Sequence, residues 1–124
     1  MYSVKIRDHF MIAHSFDNPV FGPAQSLHGA TYVVDVTFYS NSIEPYNTVI
    51  DIALASGILH EVLEKLRYKN LDAMPEFKGK PTTAEFMARY IHDTVKDKIY
   101  GQFNGKIGVT LGESHIAWAS YDED

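Results

Sequence analysis

The chain has 124 residues and a mass of 14.0 kDa, which is room for a single domain over residues 1–124 and not for two. A composition of 45% hydrophobic, 22% charged and 13% aromatic residues excludes disordered and collagen-like classes, and the lack of cysteine excludes a disulfide scaffold, a thiolate zinc knuckle and a cysteine nucleophile. With 16 acidic residues against 11 basic ones, the net charge of −5 argues against a protein built to grip nucleic acid or an anionic membrane.

The N-terminal run Met1-Tyr2-Ser3-Val4-Lys5-Ile6-Arg7-Asp8 is too charged for a signal peptide. No apolar run approaches the ~20 residues of a membrane span, so a cytoplasmic protein is expected. From Tyr2 to Phe16, Tyr2, Val4, Ile6, Phe10 and Ile12 occupy even positions, the period of a half-buried strand. Turn formers follow at Asp17-Asn18-Pro19 and Gly22-Pro23. A second strand is predicted from His28 to Tyr39, where Tyr32, Val34, Val36 and Phe38 alternate with Thr31, Val33, Asp35 and Thr37.

The period then changes. Leu54, Ile58, Leu59, Val62, Leu63 and Leu66 form an apolar stripe at helical spacing. A loop containing Pro75 and Gly79 precedes a second helix, predicted to open at Thr82 with Thr82-Thr83-Ala84-Glu85 as a capping box. Phe86, Met87, Tyr90, Ile91 and Val95 give that helix a buried face, and it fades near Tyr100-Gly101. Lys106–Leu111 and His115–Tyr121 read as two more strands around a turn at Gly112-Glu113-Ser114. The expected fold is α+β in the order ββααββ: a four-stranded antiparallel sheet with both helices on one face. Its two edges carry no obvious edge-blocking prolines within the strands, which suggests subunits that pair sheet to sheet.

Six histidines stand at positions 9, 14, 28, 60, 92 and 115, none of them paired at i, i+4. His60 and His92 are expected on solvent faces of the helices. His14 and His28 flank the loop between the first two strands, so a hairpin would bring them together. Two imidazoles can bind zinc, but a catalytic site normally takes three protein ligands, and on spacing alone an ordinary strand-end role competes with ligation. Glu113 presents two oxygens that suit a planar ligand with two parallel N–H donors, although a turn carboxylate can equally be merely solvated. Neither a Gly-x-x-x-x-Gly-Lys-Thr loop nor a Gly-x-Ser-x-Gly elbow is present.

Phe10-Met11-Ile12-Ala13-His14, Leu27-His28-Gly29-Ala30-Thr31-Tyr32, Val49-Ile50-Asp51, Pro81-Thr82-Thr83-Ala84-Glu85 and Glu113-Ser114, with Ala119 and Tyr121, occur in one series. In this order the chain resembles the 6-pyruvoyl-tetrahydropterin synthase and 6-carboxy-tetrahydropterin synthase family over nearly its whole length. The resemblance implies the tunnelling fold, in which three subunits close a twelve-stranded barrel and two trimers stack as a hexamer. It also implies a pocket between subunits in which Glu113 anchors a pterin; Ser114, its neighbour, is a further candidate to orient the ligand.

The departures from the family pattern bear on activity. His14 and His28 match two of the three zinc-binding histidines, but the third position is Ala30. The cysteine position is Ala24, and the Asp-His relay is replaced by Arg67 and Tyr68 in Leu66-Arg67-Tyr68-Lys69-Asn70-Leu71-Asp72. Side-chain acids and bases each contribute about 10²–10⁴-fold and zinc adds Lewis-acid activation, so losing them together should abolish the family reaction. Zinc is therefore expected to be absent, unless a distant ligand such as His115 completes the site.

Three readings follow. The first is a hexamer that binds a pterin-like or purine-like molecule without synthase chemistry. In the second, Arg67 binds a substrate anion while Tyr68 or His28 exchanges a proton in altered, zinc-independent chemistry. The third is a non-catalytic assembly or regulatory protein.

Overall fold

The computed structural model describes residues 1–124. Strands β1 (Tyr2–His14) and β2 (His28–Ser40) pair antiparallel from Tyr2↔Ser40 to His14↔His28. Their alternation has the expected consequence: Ile6, Phe10 and Ile12 of β1 and Tyr32, Val34, Val36 and Phe38 of β2 are buried on one face. On the other face Arg7 grips Asp35 across the strands through bonds of 2.7 and 3.0 Å. β1 ends two residues before the predicted Phe16, because Phe16 already belongs to the connecting loop. Its N–H donates to the Ala24 carbonyl at 3.1 Å, and its ring packs 4.7 Å from Phe21.

Helix α1 (Ile52–Glu64) starts where the Asp51 carboxylate accepts the Ala53 N–H at 2.9 Å, and it buries Ala55, Ile58, Leu59, Val62 and Leu63. Beyond it the backbone turns back at Tyr68, whose φ of 59° lies in the left-handed region. The Tyr68 N–H donates to the Met11 carbonyl at 2.7 Å, and β3 (Lys69–Asn70) runs parallel to β1 beside Ile12 and Ala13. This strand corrects the four-strand expectation. It has only two residues, both exposed, so no hydrophobic alternation announces it.

Helix α2 (Ala84–Lys98) is capped by Thr83, whose Oγ1 accepts the Phe86 N–H at 3.2 Å. The expected cap, Thr82, lies one residue too early and is buried against His14 instead. Met87, Ala88, Ile91 and Val95 face the core, and so does His92, against the expectation of a solvent position. The chain end closes over His92: Nε2 lies 2.9 Å from Glu123 Oε1, and the Tyr121 ring stands 4.8 Å away.

The final hairpin joins β4 (Lys106–Ser114) and β5 (Ala117–Asp122) through a turn at His115 and Ile116, two residues later than predicted. Gly105 admits the chain into β4, since a side chain there would collide with the Tyr39 carbonyl. The five strands lie in the order β3-β1-β2-β4-β5, antiparallel except at β3. α1 packs on β1, and α2 packs on β4 and β5. The uncovered face exposes Met11, Val33 and Trp118. No helix is long and apolar enough to cross a membrane.

Candidate functional site

The β1–β2 register ends by placing His14 opposite His28, with ring centroids 4.6 Å apart and the planes 66° from parallel. His14 is 1% exposed, and its Nδ1 lies 3.0 Å from Thr82 Oγ1, while its Nε2 is buried without any partner. Burial, reinforced by the neighbouring His28, holds the His14 pKa below the ordinary imidazole value, so the ring is neutral near pH 7. His28 Nδ1 lies 2.9 Å from the Ser26 carbonyl. A carbonyl can only accept, so Nδ1 carries the hydrogen, and in the neutral ring Nε2 is left as an acceptor.

Each imidazole is thus oriented through one nitrogen and open at the other, the usual arrangement around metal-binding histidines. The third element is missing. Ala30, two residues along the same face of β2, offers only a methyl group, and no three His, Cys, Asp or Glu side chains approach closely enough to hold a metal ion. His115 sits in the exposed turn after β4 and forms no such group with the pair. The residues present therefore do not fit a three-ligand zinc centre.

Farther along the same face of β2, Tyr32 is wholly buried, its ring 5.4 Å from Phe10 and its hydroxyl unpartnered. Burial, then the carboxylates of Glu113 and Glu85, push the Tyr32 pKa well above the ordinary phenol value. Glu113 follows one step beyond the last β2–β4 pair, Val33↔Gly112, on the alternation that buries Ile107, Val109 and Leu111. It is exposed and makes neither a hydrogen bond nor an ion pair, so both oxygens are free to accept. The sequence put Glu113 in a turn, whereas it lies inside β4, next to a register shift between Gly112 and Ser114. The Ser114 hydroxyl is engaged locally, accepting the Ile116 N–H at 3.3 Å. A polar cleft of about 610 Å³ adjoins this end of the sheet through Ser15 and Pro81 and is lined also by Asp17, Gln25, Asp72 and Lys80.

Arg67 and Tyr68 are elsewhere. The Arg67 guanidinium lies 3.0 Å from Asp8 Oδ2 and 2.7 Å from Glu64 Oε1, and it also donates to the His9 carbonyl. Burial disfavours the Asp8 carboxylate, but the His9 N–H, Arg67 and His60 outweigh that and hold its pKa below the ordinary value. Asp8 precedes His14 by six strand residues, about 20 Å along β1. The chain itself therefore does not bring Arg67 and His28 together, and the Arg67 charge is already answered by two carboxylates. Tyr68 is 81% exposed.

Sequence reasoning missed Thr82 and Tyr32. The signal for Thr82 was ambiguous, because two adjacent threonines could each cap α2. For Tyr32 the signal was present: a phenol among the inward positions of β2 must bury its hydroxyl.

A five-stranded, mostly antiparallel sheet carrying its helices on one face, with paired imidazoles where the first hairpin opens, defines the class of tunnelling-fold proteins. Within that class, the family model described as 6-pyruvoyl tetrahydropterin synthase matches residues 3–124, and the chain belongs to this family. Its fold is similar to that of the 6-pyruvoyl tetrahydropterin synthase of Caenorhabditis elegans, with a TM-score of 0.87 at 22% identity over 99% of this chain and 96% of that one. The synthase of Plasmodium vivax matches with a TM-score of 0.75 at 18% identity, covering 100% of this chain and 99% of the other. An uncharacterised protein of Wolinella succinogenes gives 0.77 at 17% identity, covering 99% and 98%. None of the curated proteins matches the chain.

Proposed function

We propose that this chain is a pterin-binding member of the family that has kept the heterocycle anchor and lost the zinc-dependent synthase chemistry. The observation that carries this reading is the contrast within one end of the sheet. Glu113 keeps a free carboxylate near the end of β4, whereas the imidazole pair meets the methyl of Ala30 where a third ligand would be needed. A pterin's amino group and ring N–H offer two parallel donors to one carboxylate, a charge-assisted pair. Ala24 supplies no nucleophile, and Arg67 puts a fixed cation where the family relay has a carboxylate. The engagement of Arg67 by Asp8 and Glu64 weighs against altered chemistry that needs a free guanidinium for a substrate anion.

The assembly proposed is a hexamer of two trimers in the cytoplasm, formed over residues 1–124 as a single domain. It is supported by the open outer edges of β5 and of β1 beyond the two residues that β3 covers. The test is native mass spectrometry of the purified protein, with any released small molecule identified, alongside an assay for synthase turnover with added zinc. The reading expects a bound pterin-like heterocycle and no turnover. Turnover at family rates, or a bound molecule without adjacent N–H donors, contradicts it.

A further inference from the structure

The Tyr32 hydroxyl is a buried polar group that packing does not use. The ring fills its place against Phe10, and a phenylalanine would fill it equally, yet a hydroxyl stands at its tip without a hydrogen bond. Buried tyrosine hydroxyls ordinarily find a partner. Two carboxylates act on this one, Glu113 and Glu85. Glu85 lies in the first turn of α2. Glu113 stands on the adjacent strand, one residue past the last β2–β4 pair, Val33↔Gly112, at the register irregularity between Gly112 and Ser114. It lies on the inner-face alternation of β4, and its side chain is exposed and unengaged.

We propose that Tyr32 is a positioning residue for Glu113: when a heterocycle seats on the carboxylate, Glu113 turns inward and accepts the Tyr32 hydroxyl, which fixes the plane of both oxygens toward the ligand. A carboxylate has about four acceptor sites. Two parallel N–H groups of the ligand take one on each oxygen, so a third donor is accommodated without competition. No proton is transferred; the phenol stays neutral and donates. The inference deepens the pterin reading and rests on it.

The experiment is calorimetric titration of biopterin into the wild type, Tyr32→Phe, Glu113→Gln and the double variant, with thermal melts of each protein alone. Tyr32→Phe should melt no lower than the wild type, because it removes an unpaired hydroxyl and keeps the ring. It should nonetheless bind biopterin about 10-fold more weakly. The double variant should bind no worse than Glu113→Gln alone, since the hydroxyl acts only through that carboxylate. Wild-type affinity in Tyr32→Phe, or losses that multiply in the double variant, overturns the positioning role while leaving the pterin reading intact. With Glu85→Gln and its double variant with Tyr32→Phe added to the set, coupling of Tyr32→Phe to Glu85→Gln instead of to Glu113→Gln overturns it as well. A wild type that binds no biopterin overturns both.

Discussion

Replacing Glu123 should loosen the end of β5 from α2, and the size of the effect can be worked from its contacts. The Glu123 carboxylate lies 2.9 Å from His92 Nε2 and accepts both bonds of 2.6 Å from Lys96 and the Ile107 N–H at 3.3 Å. His92 is 4% exposed, so Glu123→Ala strands a buried ring nitrogen, at a cost of about 1–3 kcal/mol. The Lys96 ammonium is half exposed, and its pair adds about 0.5–1 kcal/mol. Together the loss is roughly 1.5–4 kcal/mol, or a fall in Tm on the order of 10 °C for a chain of this size.

Burial opposes ionisation of Glu123, but the donors from Lys96, His92 and Ile107 outweigh it and hold its folded pKa below the ordinary value. The stabilisation is therefore complete above the unfolded pKa of about 4.3 and is lost as pH falls through the depressed folded value. Urea unfolding of both proteins, from pH 7 down to pH 4 and below, measures this. A difference under about 0.5 kcal/mol at pH 7, or one that does not shrink below about pH 4, refutes the reasoning.

The wild type should carry no tightly held zinc, whereas Ala30→His should acquire one per chain, because His14 and His28 are already oriented through Nδ1; metal analysis after mild chelation decides both points. Thr82→Val should cost about 1–3 kcal/mol by leaving His14 Nδ1 unpaired, while Thr83→Ala should cost only the ~1 kcal/mol of a lost helix cap. Denaturation midpoints with equal losses for the two would contradict this. Light scattering should give a hexamer; a concentration-independent monomer would show that the open strand edges are not interfaces.

β1, β2, β4 and both helices were legible because each buries one face against the same core, so period-two and helical patterns survive in the sequence. β3 was not, because two exposed residues held by backbone bonds to β1 leave no hydrophobic trace. His92 was misplaced for a related reason. Helical spacing shows which face of α2 is apolar, but not that Tyr121 and Glu123 return from 29 and 31 residues later to cover its margin. At the site, the junction of His14 and His28 follows from a hairpin with one register. The role of Thr82 depends on which of two adjacent threonines caps α2, a choice of less than one turn that composition cannot make.

The central claim is that the carboxylate of Glu113 still serves as a heterocycle anchor after the metal chemistry has gone. Calorimetric titration of neopterin and biopterin into the wild type and Glu113→Gln tests it most directly. Gln keeps the shape but sets an amide donor against a ligand donor, so affinity should fall 10-fold or more, while His28→Ala should matter less if no metal links that imidazole to the ligand. Equal affinity in the wild type and Glu113→Gln would mean that Glu113 is only a solvated strand-end residue.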